Sequence, residues 1–324
     1  MKFIIGVDLG GTNIAIGILD ENFNLIKKGS VPTLAQRGPE PIVHDMAELS
    51  KKLIAECGFE MADLLGAGIA CPGTVNPDTG IVEYANNIKF DNFPLVALYS
   101  KEMEIAPEMV KIGNDANLAA LGEAVAGAAK GAKSSVMITL GTGVGGGVIL
   151  NGTVLTGCAY GGAELGHMVI EKDGRPCSCG RNGCLEAYCA ATALVKLTKE
   201  KFLECPDSLM VEMCEGDINR VGGKTAFAAM KKGDKAGAEV VDTFISYLAI
   251  GVANLINIFQ PEIFTIGGGV SGEGDNLIIP LKEKVCKEVY SKDNTLKTDL
   301  RVATLGNDAG IIGAGAFALS GKSI

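Results

Sequence analysis

The sequence predicts an α/β fold built as two similar lobes, and three observations carry that expectation. A strand, glycine turn, strand pattern occurs twice, helical and extended apolar stretches alternate along the rest, and 324 residues make about two domains of ordinary size. The first copy, Ile4 to Leu19, turns at Gly10-Gly11-Thr12-Asn13, and the second, Val136 to Leu150, turns at Gly141-Thr142-Gly143. Each reads as a β-hairpin, so each lobe is expected to open with a hairpin whose glycine turn faces the other across an interlobe cleft. Such turns leave backbone N–H groups free for phosphate oxygens. One alone is commonplace, but a matched pair carrying Asp8, Thr12 and Thr142 points to phosphate binding.

The remaining elements follow in chain order. Pro41 to Gly58 reads as a helix, Gly66 to Cys71 as a strand, Pro94 to Glu104 as a helix and Val110 to Gly113 as a strand. A helix from Asp115 to Lys130 places Leu118, Leu121 and Val125 at helical spacing, and its end marks the expected boundary between lobes 1–130 and 131–324. Beyond it come helices at Leu185 to Leu203, Thr225 to Lys232 and Ala236 to Phe259, a strand at Ile263 to Ile266, and a closing helix at Asp308 to Leu319.

Composition narrows the class. Hydrophobic residues at 47% describe a globular chain, and 44 glycines imply many tight turns and close backbone approaches. A net charge of -9 argues against nucleic acid or an anionic membrane as the main partner. It leaves room for a phosphorylated ligand held by backbone amides. Ten cysteines without a disulfide-like framework, and an N-terminus with too short an apolar run for export, fit a cytoplasmic protein. The apolar stretch Phe244 to Phe259 is shorter than the roughly 20 residues of a membrane span and reads as a core helix.

Two further clusters carry chemistry. His167, Cys177, Cys179 and Cys184 form a Cys3His set, with Gly180 and Gly183 letting the backbone curl around an ion. Four protein ligands close a tetrahedral zinc site, so the metal is expected to be structural, shaping a loop flanked by Glu164 and Glu186. Asn114-Asp115-Ala116-Asn117 follows an apolar strand and opens a helix. Asp115 there reads as an N-cap, as a carboxylate that accepts a proton from a substrate hydroxyl attacking phosphorus with the helix dipole keeping it ionised, or as both at once. Ile266-Gly267-Gly268-Gly269-Val270-Ser271 is another strand-to-glycine turn, open to a flat base or ribose.

Taken in order, Asp8-x-Gly-Gly-Thr12, Cys71-Pro72-Gly73, Asn114-Asp115, Gly141-Thr142-Gly143, Glu164-x-x-His167, Cys-x-Cys-Gly-x-x-Gly-Cys-x-Glu186 and Gly267-Gly-Gly resemble the ROK family of sugar kinases and repressors. The resemblance runs from Met1 to the last helix. It implies the two-lobed actin-like, hexokinase-type (ribonuclease H-like) ATPase fold. It implies Asp115 as general base, Gly73, Asn87, Asn114, Asp115, Glu164, His167 and Glu186 as the sugar set, and His167 serving zinc and sugar through different ring nitrogens. Asp8 resembles the residue near Mg2+, Gly10, Gly11, Thr12, Asn13, Gly141, Thr142 and Gly143 the phosphate grips, and Gly267, Gly268 and Gly269 the adenosine contact. Within the family the chain looks most similar to bacterial ATP-dependent glucokinases, which implies phosphorylation of the glucose 6-hydroxyl. Kinases of N-acetylmannosamine, fructose or allose share these motifs. The resemblance also implies a homo-oligomer, dimer or tetramer. A repressor is disfavoured because the first strand starts at Phe3, and a non-catalytic sugar sensor because Asp115 is retained.

Overall fold

The computed structural model describes every residue except Asn86, Leu296 and residues 321–324. Chain order begins with β1 (Phe3–Leu9), β2 (Asn13–Leu19), β3 (Leu25–Pro32), α1 (Pro39–Cys57), β4 (Leu64–Cys71), β5 (Thr74–Asn76), β6 (Ile81–Ala85), β7 (Phe90–Phe93), α2 (Leu95–Met103), β8 (Val110–Asn114) and α3 (Asp115–Ala126). It continues with β9 (Ser135–Leu140), β10 (Val144–Leu150), β11 (Thr153–Val154), α4 (Glu186–Cys189), α5 (Ala191–Glu204), α6 (Leu209–Met213), α7 (Thr225–Lys231), α8 (Lys235–Phe259), β12 (Ile263–Gly267), α9 (Asp275–Glu288), β13 (Asp299–Val302) and α10 (Ala309–Ser320). Two five-stranded sheets, ordered β3-β2-β1-β4-β8 and β11-β10-β9-β12-β13, share one pattern, and β5-β6-β7 form a small third sheet. The repeat seen in the two hairpins therefore extends to whole sheets. In the first, β1 pairs antiparallel with β2 and parallel with β4. In the second, β10 and β11 are antiparallel and β12 and β13 parallel.

Two compact units form, and their boundary differs from the one expected at residue 130. Met1–Ser135, Gly147–Ala163 and the stretch from Thr304 make the first unit, and Val136–Gly146 with Glu164–Ala303 the second. The end of the chain joins the first unit because α10 packs there at backbone distance. A Cβ on Gly6 or Gly68 would stand 2.0 Å from the Ile311 carbonyl oxygen or 1.8 Å from that of Ala314. Gly122 of α3 and Gly313 of α10 meet Ala309 and Leu118 carbonyls in the same way. Only glycine fits such contacts. Gly68→Ala is expected to cost about 3 kcal/mol of stability or more, at the upper end of overpacking effects, read as a lower urea midpoint at constant slope. An unchanged midpoint would contradict this packing.

Strand periodicity then divides the faces of the first sheet. Phe3, Ile5, Val7 and Leu9 share a buried cluster with Ile42, Met46 and Leu53 of α1 and Tyr99 of α2. Ile4 instead packs with Ile312 of α10. Asp8 has the parity of Ile4, so it lies on the face of α3 and α10.

In the second unit α8 starts at Asp234, whose carboxylate accepts from the Gly237 N–H at 2.8 Å. Among the described residues α8 is the one helix long and apolar enough to cross a membrane. Its Phe244, Leu248, Val252 and Leu255 are buried in the protein. The single helix expected over 185–203 is instead two, because Ala190 is extended (φ -68, ψ 157) between α4 and α5.

Candidate active site

Asn114, and not Asp115, caps α3. The Asn114 Oδ1 accepts from Ala116 N at 3.0 Å and Asn117 N at 3.2 Å, while its Nδ2 donates to the Gly73 carbonyl at 3.2 Å. Gly73 has φ +88, and a Cβ there would lie 2.0 Å from the Tyr84 carbonyl oxygen, so the chain turn beside Asn114 requires glycine. With the cap supplied by its neighbour, Asp115 keeps one carboxylate oxygen for chemistry. Its Oδ1 accepts from Ala116 N at 2.8 Å. Burial raises the Asp115 pKa and outweighs that hydrogen bond. The carboxylate is therefore a stronger base than an exposed one.

Asp8 completes a pair of carboxylates. Burial first, and the charge of Asp115 second, push it up to about 6. Room for it comes from Gly310, where a Cβ would stand 2.5 Å from Asp8 Oδ2. Two half-buried carboxylates, the charge of Asp115 raising the proton affinity of Asp8, are a fit for a hard divalent cation. The pH consequence can be signed. Because the folded pKa lies above the unfolded one, Asp8 favours folding at low pH, and that contribution is lost as pH rises from about 4 through about 6. In metal-free protein Asp8→Asn is therefore expected to be the more stable form at pH 8, by up to about 3 kcal/mol, with no advantage below pH about 4. Urea titrations of both proteins at the two pH values check this, and a destabilised Asp8→Asn at pH 8 would contradict it.

The first glycine turn is tightened by a Gly10 N–H to Asn13 carbonyl bond of 3.0 Å. Thr33, fully buried, holds it from behind: its hydroxyl donates to the Gly10 carbonyl at 2.6 Å and its N–H to that of Thr12 at 2.8 Å. Among the described residues the N–H groups of Gly11 and Thr12 meet no carbonyl, which leaves them for an anion. Asn87 is exposed beside this turn, its Cβ 3.2 Å from where one on Gly11 would be.

In the second unit the Gly141 N–H donates to the Gly143 carbonyl at 3.0 Å, closing the other turn. The start of α5 supports it: Ala191 N–H donates to the Gly141 carbonyl at 2.8 Å and the Thr192 hydroxyl to that of Thr142 at 3.1 Å. Glu186 joins this turn to the cysteine loop, its Oε2 accepting from Val144 N at 3.0 Å and its Oε1 from the Ser178 hydroxyl at 3.1 Å.

The four metal-ligand candidates converge, with ligand atoms within 4.8 Å of one another. His167 Nδ1 is 3.6 Å from Cys177 Sγ, and Cys179 Sγ is 3.7 Å from Cys184 Sγ. A tetrahedral zinc has ligand-to-ligand edges of about 3.5–3.8 Å. These two distances fit that ion, and Nδ1, the nitrogen beside Cys177 Sγ, would be the ligating one. Gly183 (φ +80) is required in the loop, because a Cβ would lie 1.7 Å from the Glu171 carbonyl oxygen. Glu164 begins the short 3-10 turn that carries His167, its carbonyl accepting from the His167 N–H at 3.1 Å.

Residues 4–320 match the ROK family. The chain belongs to that family. A glucokinase of Halalkalibacterium halodurans is 39% identical over 97% of this chain and 94% of its own length. One of Thermotoga maritima is 38% identical over 96% of this chain and 95% of its own. The ROK family glucokinase from Streptomyces griseus, solved in complex with glucose and AMPPNP, superposes with a TM-score of 0.81 at 30% identity, covering 98% of this chain and 99% of that one.

For this ROK protein the residues expected from sequence fall into two groups. The first unit holds Asp8, Gly10 to Asn13, Gly73, Asn87, Asn114 and Asp115, and the second Gly141 to Gly143, Glu164, His167, Glu186, the three cysteines and Gly267 to Gly269. Within the last triplet, Gly268 (φ +81) is needed for packing, since a Cβ would lie 2.5 Å from the Leu140 carbonyl oxygen, while Gly269 faces open space. Gly269 alone is free to receive a ligand closely. Thr33 was not anticipated; a lone threonine at a strand end carries no signal of a bond to a turn twenty residues earlier.

Proposed function

We propose that this ROK kinase transfers the γ-phosphoryl group of ATP to the 6-hydroxyl of glucose. The observation that carries the reading is Asp115: a half-buried carboxylate at the start of α3, relieved of capping by Asn114 and close enough to Asp8 for its charge to raise the Asp8 pKa. Asp115 accepts the hydroxyl proton as the sugar oxygen attacks phosphorus and ADP departs. Gly11 and Thr12 N–H groups on one turn and Thr142 and Gly143 on the other receive phosphate oxygens, with Gly269 near the adenosine. Asp8 holds Mg2+, which neutralises phosphate charge when bound. Asn114, Gly73 and Asn87 with Glu164, His167 Nε2 and Glu186 orient the sugar. Zinc on His167 Nδ1, Cys177, Cys179 and Cys184 fixes the loop between Glu164 and Glu186 and takes no part in the chemistry, because four protein ligands leave it no open position.

Glucose is favoured over other hexoses by the likeness to the glucokinases named above. A panel of glucose, mannose, fructose, allose and N-acetylmannosamine with ATP, followed by ADP release, tests the choice. The highest kcat/KM on N-acetylmannosamine would overturn it.

The phosphate role of the second turn has a clean probe. A side chain at Gly143 would strike Glu186, at 2.5 Å, whereas Gly141 has only the Gly143 carbonyl, at 4.0 Å, in range. Gly141→Val is accordingly expected to raise the KM for ATP at least about tenfold, and that for glucose much less, by filling space the phosphates need. Equal KM values for ATP in the two proteins would remove the turn from the site.

A further inference from the structure

The second glycine turn lies in a concavity whose lining includes Thr142, Gly143, Ser178, Glu186, Thr192 and Lys196. We propose that Lys196 is an additional nucleotide-binding residue, whose ammonium group meets the phosphate chain of ATP at this turn. The inference rests on the reading of Gly141 to Gly143 as a phosphate grip.

Position comes first. Bonds from Ala191 N–H to the Gly141 carbonyl and from the Thr192 hydroxyl to the Thr142 carbonyl clamp the first turn of α5 to the glycine turn. Lys196 is four residues after Thr192, so it stands directly above it on the same helix face, within reach of the same space.

Charge is the second argument, independent of the first. Lys201, farther along α5, is paired with Glu204 and Glu239, and Arg175 with Glu200; Lys199, on the same helix, is absent from the lining of the concavity. Lys196 is exposed and meets no carboxylate at ion-pair distance among the described residues. The acidic group that shares the concavity, Glu186, makes no ion pair with Lys196; its oxygens accept from Val144 N and the Ser178 hydroxyl. In a chain of net charge -9, an unpaired ammonium beside a turn with open N–H groups is an electrostatic focus for a polyanion. The flexible stem of lysine suits a phosphate chain, which it meets as a point charge without demanding one geometry.

The test compares Lys196→Met, Lys196→Arg and Gly141→Val in the full-length protein. It measures KM for ATP and glucose, and competitive inhibition by ADP and by adenosine. Lys196→Met is expected to raise KM for ATP and Ki for ADP about tenfold, the loss of one charge-assisted contact. Ki for adenosine and KM for glucose stay at wild-type values, and Lys196→Arg recovers most of the loss. A merely structural lysine would weaken adenosine as much as ADP, and that result overturns the proposal. If Lys196→Met binds ATP normally while Gly141→Val does not, Lys196 has no such role and the turn keeps its own. If neither variant changes KM for ATP, the phosphate assignment of the turn fails as well.

Discussion

Replacing Asp115 by asparagine is expected to lower kcat by about 10²- to 10⁴-fold while glucose binding stays within a few-fold of wild type. The substitution preserves shape and the bond from Ala116 N to Oδ1, so α3 should start where it does now. Asn114 supplies the cap in any case, and stability should hold. What is lost is the ability to take a proton. Removing a half-buried carboxylate also relieves Asp8, whose raised pKa owes part of its shift to Asp115, so the variant should be at least as stable as wild type at pH 8. Lower activity with equal or higher stability is the combination that separates a base from a structural residue. Near-normal turnover in a folded variant would move the base elsewhere.

The second large effect is expected from Cys179→Ser. Native protein should carry about one zinc per chain, and the variant should lose it, because three remaining ligands and a poor hydroxyl donor cannot hold a structural site. Without the ion, the loop keeps backbone bonds such as Cys177 N–H to the Arg181 carbonyl at 2.8 Å, but the side chains of three thiols and an imidazole lose the centre that would hold them within 4.8 Å. Glu164, His167 and Glu186 would then lose their common frame, and glucose affinity should fall by at least about tenfold. Nucleotide binding should suffer less, since Ala191 and Thr192 hold the second turn independently of the loop. Metal analysis by mass spectrometry and calorimetric titration with glucose check both parts. Zinc-free native protein with full glucose affinity would contradict the account, and so would a zinc-free variant that binds glucose normally.

Where the sequence was legible, local physics was strong. The hairpins β1–β2 and β9–β10 show nearly continuous apolar runs around glycine turns, and α3 shows a polar start followed by apolar helical spacing. The convergence of His167, Cys177, Cys179 and Cys184 was legible because soft ligands at short spacing have few other uses. Short or polar elements escaped: β5 and β7 have three and four residues, and β3 alternates half-buried with exposed positions through Lys27 and Lys28. So did α9, which contains Pro280 after its first turn. The unit boundary was hidden for a different reason. Whether residues after 303 return to the first unit depends on Gly6, Gly68, Gly122 and Gly313 meeting carbonyls from distant parts of the chain, and no local window contains both partners. The site shows the same limit. The types of Asn114 and Asp115 could be read, but which of them caps the helix is decided by side-chain geometry.

The most direct test of the central claim is to incubate purified protein with Mg2+, ATP and glucose and follow the products by phosphorus NMR. The account predicts ADP and glucose 6-phosphate in equal amounts from the wild type, and both formed about 10²- to 10⁴-fold more slowly by Asp115→Asn. ADP without a sugar phosphate, phosphorylation at another hydroxyl, or equal rates of product formation by the two proteins would contradict it.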